Sequence, residues 1–254
     1  MLRISNIKIA ARKEQMPALE QEIRRMLHLK PQNELGYQIV KKSVDARKKE
    51  AIFCIYTVEV KGLRDEVKLV QRCKKDNITI AKQEQYTAPV AGDAVLAQRP
   101  VVIGAGPAGL FATLLLAEQG YCPLLLERGK DVDSRTADVE AFWQTGVLNP
   151  RSNVQFGEGG AGTFSDGKLN SVIKDIRCRK VLETFVRFGA PEEILYQQKP
   201  HIGTDVLKNV IVSMRKSILE YGGEVRFDSC MTDLDVRDGS IRQSILNVRH
   251  SSLQ

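Results

Sequence analysis

Three observations predict an α/β chain in two parts. Residues 100–129, PVVIGAGPAGLFATLLLAEQGYCPLLLERG, run strand, glycine turn, helix, strand. Ahead of them, residues 1–82 alternate strand-like and helix-like patterns in the order βαββαβ. Between the two, QEQYTAPVAGDAVLAQ (83–98) is poor in bulky apolar residues and carries Pro89 and Gly92, as a linker does. The expected architecture is an α+β ferredoxin-like domain over 1–82, a linker over 83–98, and a Rossmann-like α/β domain over 99–254. The last combines an incomplete parallel sheet with a β-meander.

Leu2 to Ile9 alternates apolar and polar residues, the period of a half-buried strand. Pro17 opens a helix through ALEQEIRRMLHL that sets Leu19, Ile23, Met26 and Leu27 on one face. Tyr37–Val44 and Ala51–Val60 are two further strands, joined across Asp45 to Lys49. Leu63–Cys73 is a second amphipathic helix and Ile78–Ala81 a last strand.

In the second part, Val101, Val102 and Ile103 lead into Gly104-Ala-Gly106-Pro107-Ala108-Gly109. Gly104 permits the tight turn, Gly106 lets backbone approach a pyrophosphate, and Gly109 lets helix and strand pack closely. The helix that follows offers unpaired N–H groups and its positive dipole end to phosphates. Glu127 ends the next strand 18 residues beyond Gly109, where a carboxylate accepts hydrogen bonds from an adenosine ribose. The segment predicts an adenine dinucleotide site.

A second glycine-rich stretch, RSNVQFGEGGAGTFSDGKLN, covers 151–170. Gly157, Gly159, Gly160, Gly162 and Gly167 forbid a stable helix or strand interior and suit a loop whose backbone approaches a ligand. Thr163 and Ser165 add hydroxyls, Lys168 a cation, and Phe156 and Phe164 apolar anchors. Such a loop can form an anion nest. Downstream, Cys178–Phe188 reads as an amphipathic helix and Pro191-Glu-Glu as a turn. Asp205 is placed to cap a helix over Val206–Tyr221 that ends at Gly222-Gly223. Val225–Phe227 is a strand, and 232–248 a meander turning at Asp238-Gly239.

Bulk composition narrows the classes. With 254 residues the chain can bury two cores, and no apolar run approaches the roughly 20 residues that cross a bilayer. The five cysteines lie too far apart for a CxxC pair, which argues against a zinc knuckle or a redox disulfide and for thiols in a reducing cytoplasm. His28, His201 and His250 have no ligand partners at metal-binding spacing, so no metal is expected. The net charge of +7 lies wholly in residues 1–98, with 19 Lys+Arg against 12 Asp+Glu. Lys41, Lys42, Arg47, Lys48 and Lys49 form its densest cluster. That cluster serves either as a solvated hairpin or as a phosphate or nucleic-acid contact. Phe53 and Tyr56, three residues apart on one strand, fall on opposite faces and form no stacking platform.

Four stretches together resemble a bacterial family described as uncharacterised FAD-dependent dehydrogenases, or NAD(P)/FAD-dependent oxidoreductases. They are KKSVDARKK, RPVVIGAGPAGLFATLLLAEQG, LLLERGKDVDSRTADVEAFWQTGVLNPRSNVQFGEGGAGTFSDGKLN, and KPHIGTDVLKNVIVSMRKSILEYGGEVRF. GEGGAGTFSDGKL with HIGTD is the specific part. The resemblance implies FAD on the first motif, Glu127 on the adenosine ribose and Arg128 near the adenine. It also implies Gly157, Gly159, Gly160, Ala161 and Gly162 near the pyrophosphate or ribityl chain, and backbone around Met231 against the adenine. Members of the family are longer and continue past the meander with a strand beside the first one. The present chain then reads as a fragment whose Val101–Ile103 strand has an open apolar edge.

The leading expectation is thus a cytoplasmic FAD-binding oxidoreductase of dehydrogenase type, with NAD(P)H as an electron donor and a small-molecule substrate the sequence does not name. NADP as primary ligand is disfavoured by Glu127, which repels a 2′-phosphate, although Arg128 stands beside it. The alternative is a nucleic-acid-binding module built on the basic N-terminal domain.

Overall fold

A computed structural model of the 254-residue chain describes residues 1–73, 75–82, 86–90, 92–93, 95–165, 167–169, 173 and 175–248. Residues 83–85, 91 and 94 of the expected linker, Asn170, and 249–254 with His250 lie outside them. The chain divides into two units. One holds Met1–Thr87, Leu169–Glu183 and Pro191–Pro200, the other Ala88–Lys168, Thr184–Ala190 and His201–Gln254.

The first unit runs β1 (Leu2–Ala10), α1 (Gln15–Leu27), β2 (Gly36–Asp45), β3 (Phe53–Lys61), α2 (Glu66–Cys73) and β4 (Ile78–Ile80). The four strands form one antiparallel sheet in the order β2-β3-β1-β4. The apolar positions of β1 are Leu2, Ile4, Ile7 and Ile9, so strict alternation breaks between 4 and 7. A register shift at that point, with Asn6 at φ 58°, resets the phase and returns all four to the core. They meet Leu19, Ile23, Met26 and Leu27 of α1 and Cys54, Tyr56, Val58 and Val60 of β3. On the opposite face, nearly buried Glu59 accepts from Arg3 Nη2 at 2.6 Å and Gln38 Nε2 at 2.9 Å, tying three adjacent strands. Helix α1 starts two residues before Pro17, which costs nothing because a first-turn N–H has no carbonyl to meet.

The second unit runs β5 (Val101–Ile103), α3 (Pro107–Glu118), β6 (Leu124–Leu126), α4 (Val132–Thr145), α5 (Ile176–Arg187, from Thr184 onward), α6 (Thr204–Glu220), β7 (Glu224–Arg226), β8 (Ser229–Arg237) and β9 (Ser240–Val248). Strands β5, β6 and β7 form a parallel sheet in that order, with Leu124 opposite both Val101 and Glu224. Strand β6 is central and its three leucines are buried, as a strand covered on both faces requires. Helices α3 and α6 pack together, burying Leu110, Leu114, Val210, Ile211, Met214 and Ile218. Strand β5 is outermost among the described strands, and Val101 and Ile103 are each 48% exposed.

Two sequence expectations change. Asp205 does not cap α6. Gly203 takes the cap position in extended conformation with no side-chain bond, and Asp205 lies in the first turn, where its charge still favours the helix dipole. The expected meander is a two-stranded antiparallel hairpin among the described residues. Its turn is at Asp238-Gly239 as expected, both with positive φ (52° and 71°), the geometry whose twist matches the strands. No helix among the described residues is long and apolar enough to cross a membrane.

Candidate functional site

The turn after β5 is shaped by contact with the following helix. A Cβ on Gly109 would lie 1.8 Å from the carbonyl oxygen of Gly104 and 3.5 Å from Val102, so only glycine admits this helix–strand approach. Gly106 is the reverse case: a Cβ there would meet nothing within 4 Å. Its backbone opens onto a cleft of about 370 Å³, a volume in the small-ligand range. Gly106 is also the N-cap of α3, with Pro107 first in the helix. The amides of Ala108 and Gly109 therefore have no carbonyl one turn back.

Four segments wall the cleft. Ile103, Gly104 and Gly106 come from the β5 turn, and Leu126, Glu127 and Arg128 from the end of β6. Gln155, Phe156, Gly157 and Gly160 come from the second glycine loop, and Ser229, Cys230 and Met231 from the start of β8. Of the site residues expected from the sequence, Gly104, Gly106, Glu127, Arg128, Gly157, Gly160 and Met231 meet here. Pro107, Ala108, Gly109, Gly159, Ala161 and Gly162 are not in the lining. Gly159 instead faces Thr163 Oγ1 and Ile211, at 2.2 and 2.5 Å from a notional Cβ.

Glu127 is 3% exposed. Its Oε2 accepts from the Ala105 amide at 2.6 Å and its Oε1 from the Gly129 amide at 2.8 Å. The carboxylate thus fastens the glycine turn to the end of β6, and each oxygen keeps acceptor capacity for a ligand hydroxyl. Arg128 lies over the Phe156 ring at 4.1 Å, bracing one wall against another.

The second glycine loop rests on a residue that sequence reasoning did not single out. Arg135 of α4 is fully buried. Its Nε donates to the Asn153 carbonyl at 2.8 Å, and Nη1 donates to the carbonyls of Glu158 and Gly160, each at 2.9 Å. A Cβ on Gly157, which has φ 110°, would come within 2.7 Å of Arg135 Cδ. Burial pulls the guanidinium down to about 10, against support from Glu127 and Glu158. Glu158 is also fully buried; its Oε2 accepts from the Val132 amide at 2.8 Å and lies 3.4 Å from Arg215 Nη1. Burial pushes its carboxyl up to about 7, opposed by the Val132 amide and Arg215 and reinforced by Asp131 and Asp133. The only sequence signal for Arg135 is its place in the segment leading to the loop.

Thr163 and Ser165, expected as ligand donors, turn to the loop itself. Thr163 Oγ1 approaches the Glu158 carbonyl at 3.4 Å and Ser165 Oγ donates to the Gly162 carbonyl at 3.0 Å. Phe164 is flanked by Arg135 at 4.8 Å, Lys208 at 5.1 Å and the edge of Trp143. His201 is exposed and bridges through its backbone to Lys168. No metal-binding cluster occurs among the described residues.

The first unit holds a larger hollow, about 850 Å³, lined among others by Arg64, Asp65, Lys68 and Arg72. We place the candidate site in the smaller cleft, because there a helix N-terminus, a buried carboxylate and a second glycine loop border one space. In the basic hairpin, Arg47 is held by Asp45 at 2.7 Å, and Lys42 exchanges backbone hydrogen bonds with Tyr196 and Gln198. Tyr56 is fully buried.

Residues 1–61 match the family model of a domain of unknown function (DUF8436). Over 246 residues the chain is 43% identical to an uncharacterized protein of Clostridium beijerinckii, covering 97% of this chain and 46% of that protein. The chain therefore spans about half the length of the curated relative it matches. Among solved structures it is similar to Thermovibrio ammonificans THI4, at 18% identity over 59% of this chain and 47% of that one, with a TM-score of 0.35. It is also similar to the L-amino acid deaminase of Proteus myxofaciens, at 14% identity, 65% and 46% coverage, and a TM-score of 0.27. Neither score reaches that of a shared fold.

Proposed function

We propose that the second unit is a Rossmann-like domain that binds FAD in the cleft and belongs to an oxidoreductase of dehydrogenase type. The observation that carries this reading is the convergence on one space of Gly106 at the head of α3, Glu127, and Gly157 and Gly160 of the second glycine loop. Phosphates suit the helix N-terminus, where amide donors and the dipole act together. A ribose hydroxyl suits Glu127, which retains acceptor capacity after bonding Ala105 and Gly129. The amide and carbonyl groups of Cys230 and Met231 suit an adenine edge. When bound, the flavin would supply hydride chemistry, with NAD(P)H as electron donor and a small-molecule substrate. The chain's own residues bind and orient.

The first unit is proposed to be a ferredoxin-like domain, joined to the second through the linker at 83–98. Its βαββαβ order and its β2-β3-β1-β4 sheet support that assignment.

The test is an absorbance titration of the purified 254-residue protein with FAD. Retained or acquired flavin, with the band shape altered from that of free FAD, is expected. Protein that is folded by circular dichroism yet leaves the FAD spectrum unchanged at every ratio would overturn the proposal.

A further inference from the structure

Glu158 sits inside the second glycine loop, between Gly157 and Gly160, which both line the cleft. Its side chain is fully buried, and Oε1 has no hydrogen-bond partner among the described residues. The loop is fastened to the first glycine turn on either side of this residue. The Gly159 amide donates to the Ala105 carbonyl at 2.8 Å. A Cβ on Gly160 would lie 3.1 Å from Pro107 Cδ and 3.4 Å from Gly106 Cα, at the head of α3. Glu158 is thus one and two residues from the points where the loop meets that turn. A charge on it acts on the helix N-terminus through buried protein, where screening by salt is weak. The groups around the carboxyl come from three segments. At the start of α4, the Val132 amide bonds Oε2 at 2.8 Å, while Asp131 and Asp133 oppose its charge and Arg135 offsets it. From α6, Arg215 Nη1 lies 3.4 Å from Oε2. Ahead of α4, Lys130 gives Glu158 only its carbonyl, and its ammonium pairs with Asp138 at 2.8 Å. Glu127 acts on the same Arg135 guanidinium. Burial outweighs the Val132 amide and Arg215 and holds the carboxyl at about 7, so its charge changes near neutrality.

We propose that Glu158 makes the cleft proton-linked: the loop holds the dinucleotide's diphosphate more tightly when Glu158 is protonated and less tightly once it ionises. The inference rests on the FAD reading above. A diphosphate at the head of α3 brings negative charge toward the loop, which raises the proton affinity of Glu158. By linkage, the proton raises affinity for the diphosphate by the same factor. Loss of the proton acts twice in one direction. It adds a like charge beside the ligand, and it leaves a buried charge that loosens the wall of the cleft. The affinity is therefore greatest on the acid side of the Glu158 transition and falls as pH rises through it.

The experiment is calorimetric titration of the full chain with FAD from pH 6 to pH 8, on either side of the Glu158 transition. Each pH is run in two buffers of different ionisation heat, which counts the protons exchanged on binding. The diphosphate diester and the flavin ring of FAD keep their charge over this range, so a change reports on the protein. Affinity should fall about threefold or more across it, with uptake of a fraction of a proton near the transition. Glu158→Gln should bind with constant affinity and take up no proton. Arg215→Gln removes a cation that favours the ionised form, so the fall should begin at higher pH. Circular dichroism checks that each variant is folded, and the proton count on the parent needs no variant. A flat affinity with no proton uptake in the parent, or a pH dependence that survives in folded Glu158→Gln, would overturn the linkage and leave the FAD reading standing. Failure of FAD to bind at any pH would overturn both.

Discussion

Replacing Glu158 with glutamine should change how the stability of this protein depends on pH, by an amount the structure specifies. Glu158 is fully buried beneath the second glycine loop, with one oxygen on the Val132 amide and no hydrogen-bond partner for Oε1 among the described residues. Burial raises its carboxyl from an ordinary 4.5 to about 7. The folded protein therefore binds this proton more tightly than the unfolded chain does. The stability it contributes is fully present below pH 4.5 and is lost as pH rises to about 7. At about 1.36 kcal/mol per pH unit, the loss is about 3 kcal/mol. Glutamine keeps the carbonyl that accepts from Val132 and cannot titrate. Urea unfolding at several pH values between 4.5 and 8, followed through Trp143, the sole tryptophan, measures both proteins. Trp143 packs edge-on to Phe164 at 6.4 Å, so its emission reports on the loop as well as on global unfolding. The parent-minus-variant stability should fall by about 3 kcal/mol across that range, other titrating groups cancelling in the difference. A flat difference would refute the assignment of a buried, proton-holding Glu158.

Three further substitutions probe the cleft. Gly106→Val places its Cβ where no atom lies within 4 Å, so stability should fall by no more than about 1 kcal/mol, the scale of a helix-cap substitution, while FAD affinity falls about tenfold or more, read by paired unfolding and absorbance titrations. Gly109→Ala drives a Cβ to 1.8 Å from the Gly104 carbonyl and should cost about 1–3 kcal/mol, with loss of binding, because the turn must move. Arg135→Met leaves the carbonyls of Asn153, Glu158 and Gly160 without their donor, a loss of about 3–5 kcal/mol, and should shift Trp143 emission in the folded protein. Arg135→Lys should recover part of that stability, since an ammonium restores charge and some of the bonds.

The local elements were largely legible because their causes are local. The apolar positions of β1 and β3, the αβ order of residues 100–129 and the turn at Asp238-Gly239 follow from side-chain period and from backbone preference. Even the irregular step from Ile4 to Ile7 is written in the chain, since a one-residue bulge restores the apolar face. The Asp205 cap misled for an equally local reason: a capping residue type lay two positions past the true cap, inside the first turn, and glycine at 203 fills the position without a side chain.

What the amino-acid order alone determined is the glycine turn with Glu127 at fixed spacing, because turn, helix and strand lie within 30 consecutive residues. The tertiary structure alone decided the other walls. Phe156 and Gly157 meet Ser229 and Met231 across more than 70 positions of sequence, and Arg135 reaches the loop it supports from a helix 18 to 25 residues earlier. Such meetings are set by how α4, β6 and β8 pack, and a side chain's neighbours across a packed core leave no period or spacing in the chain.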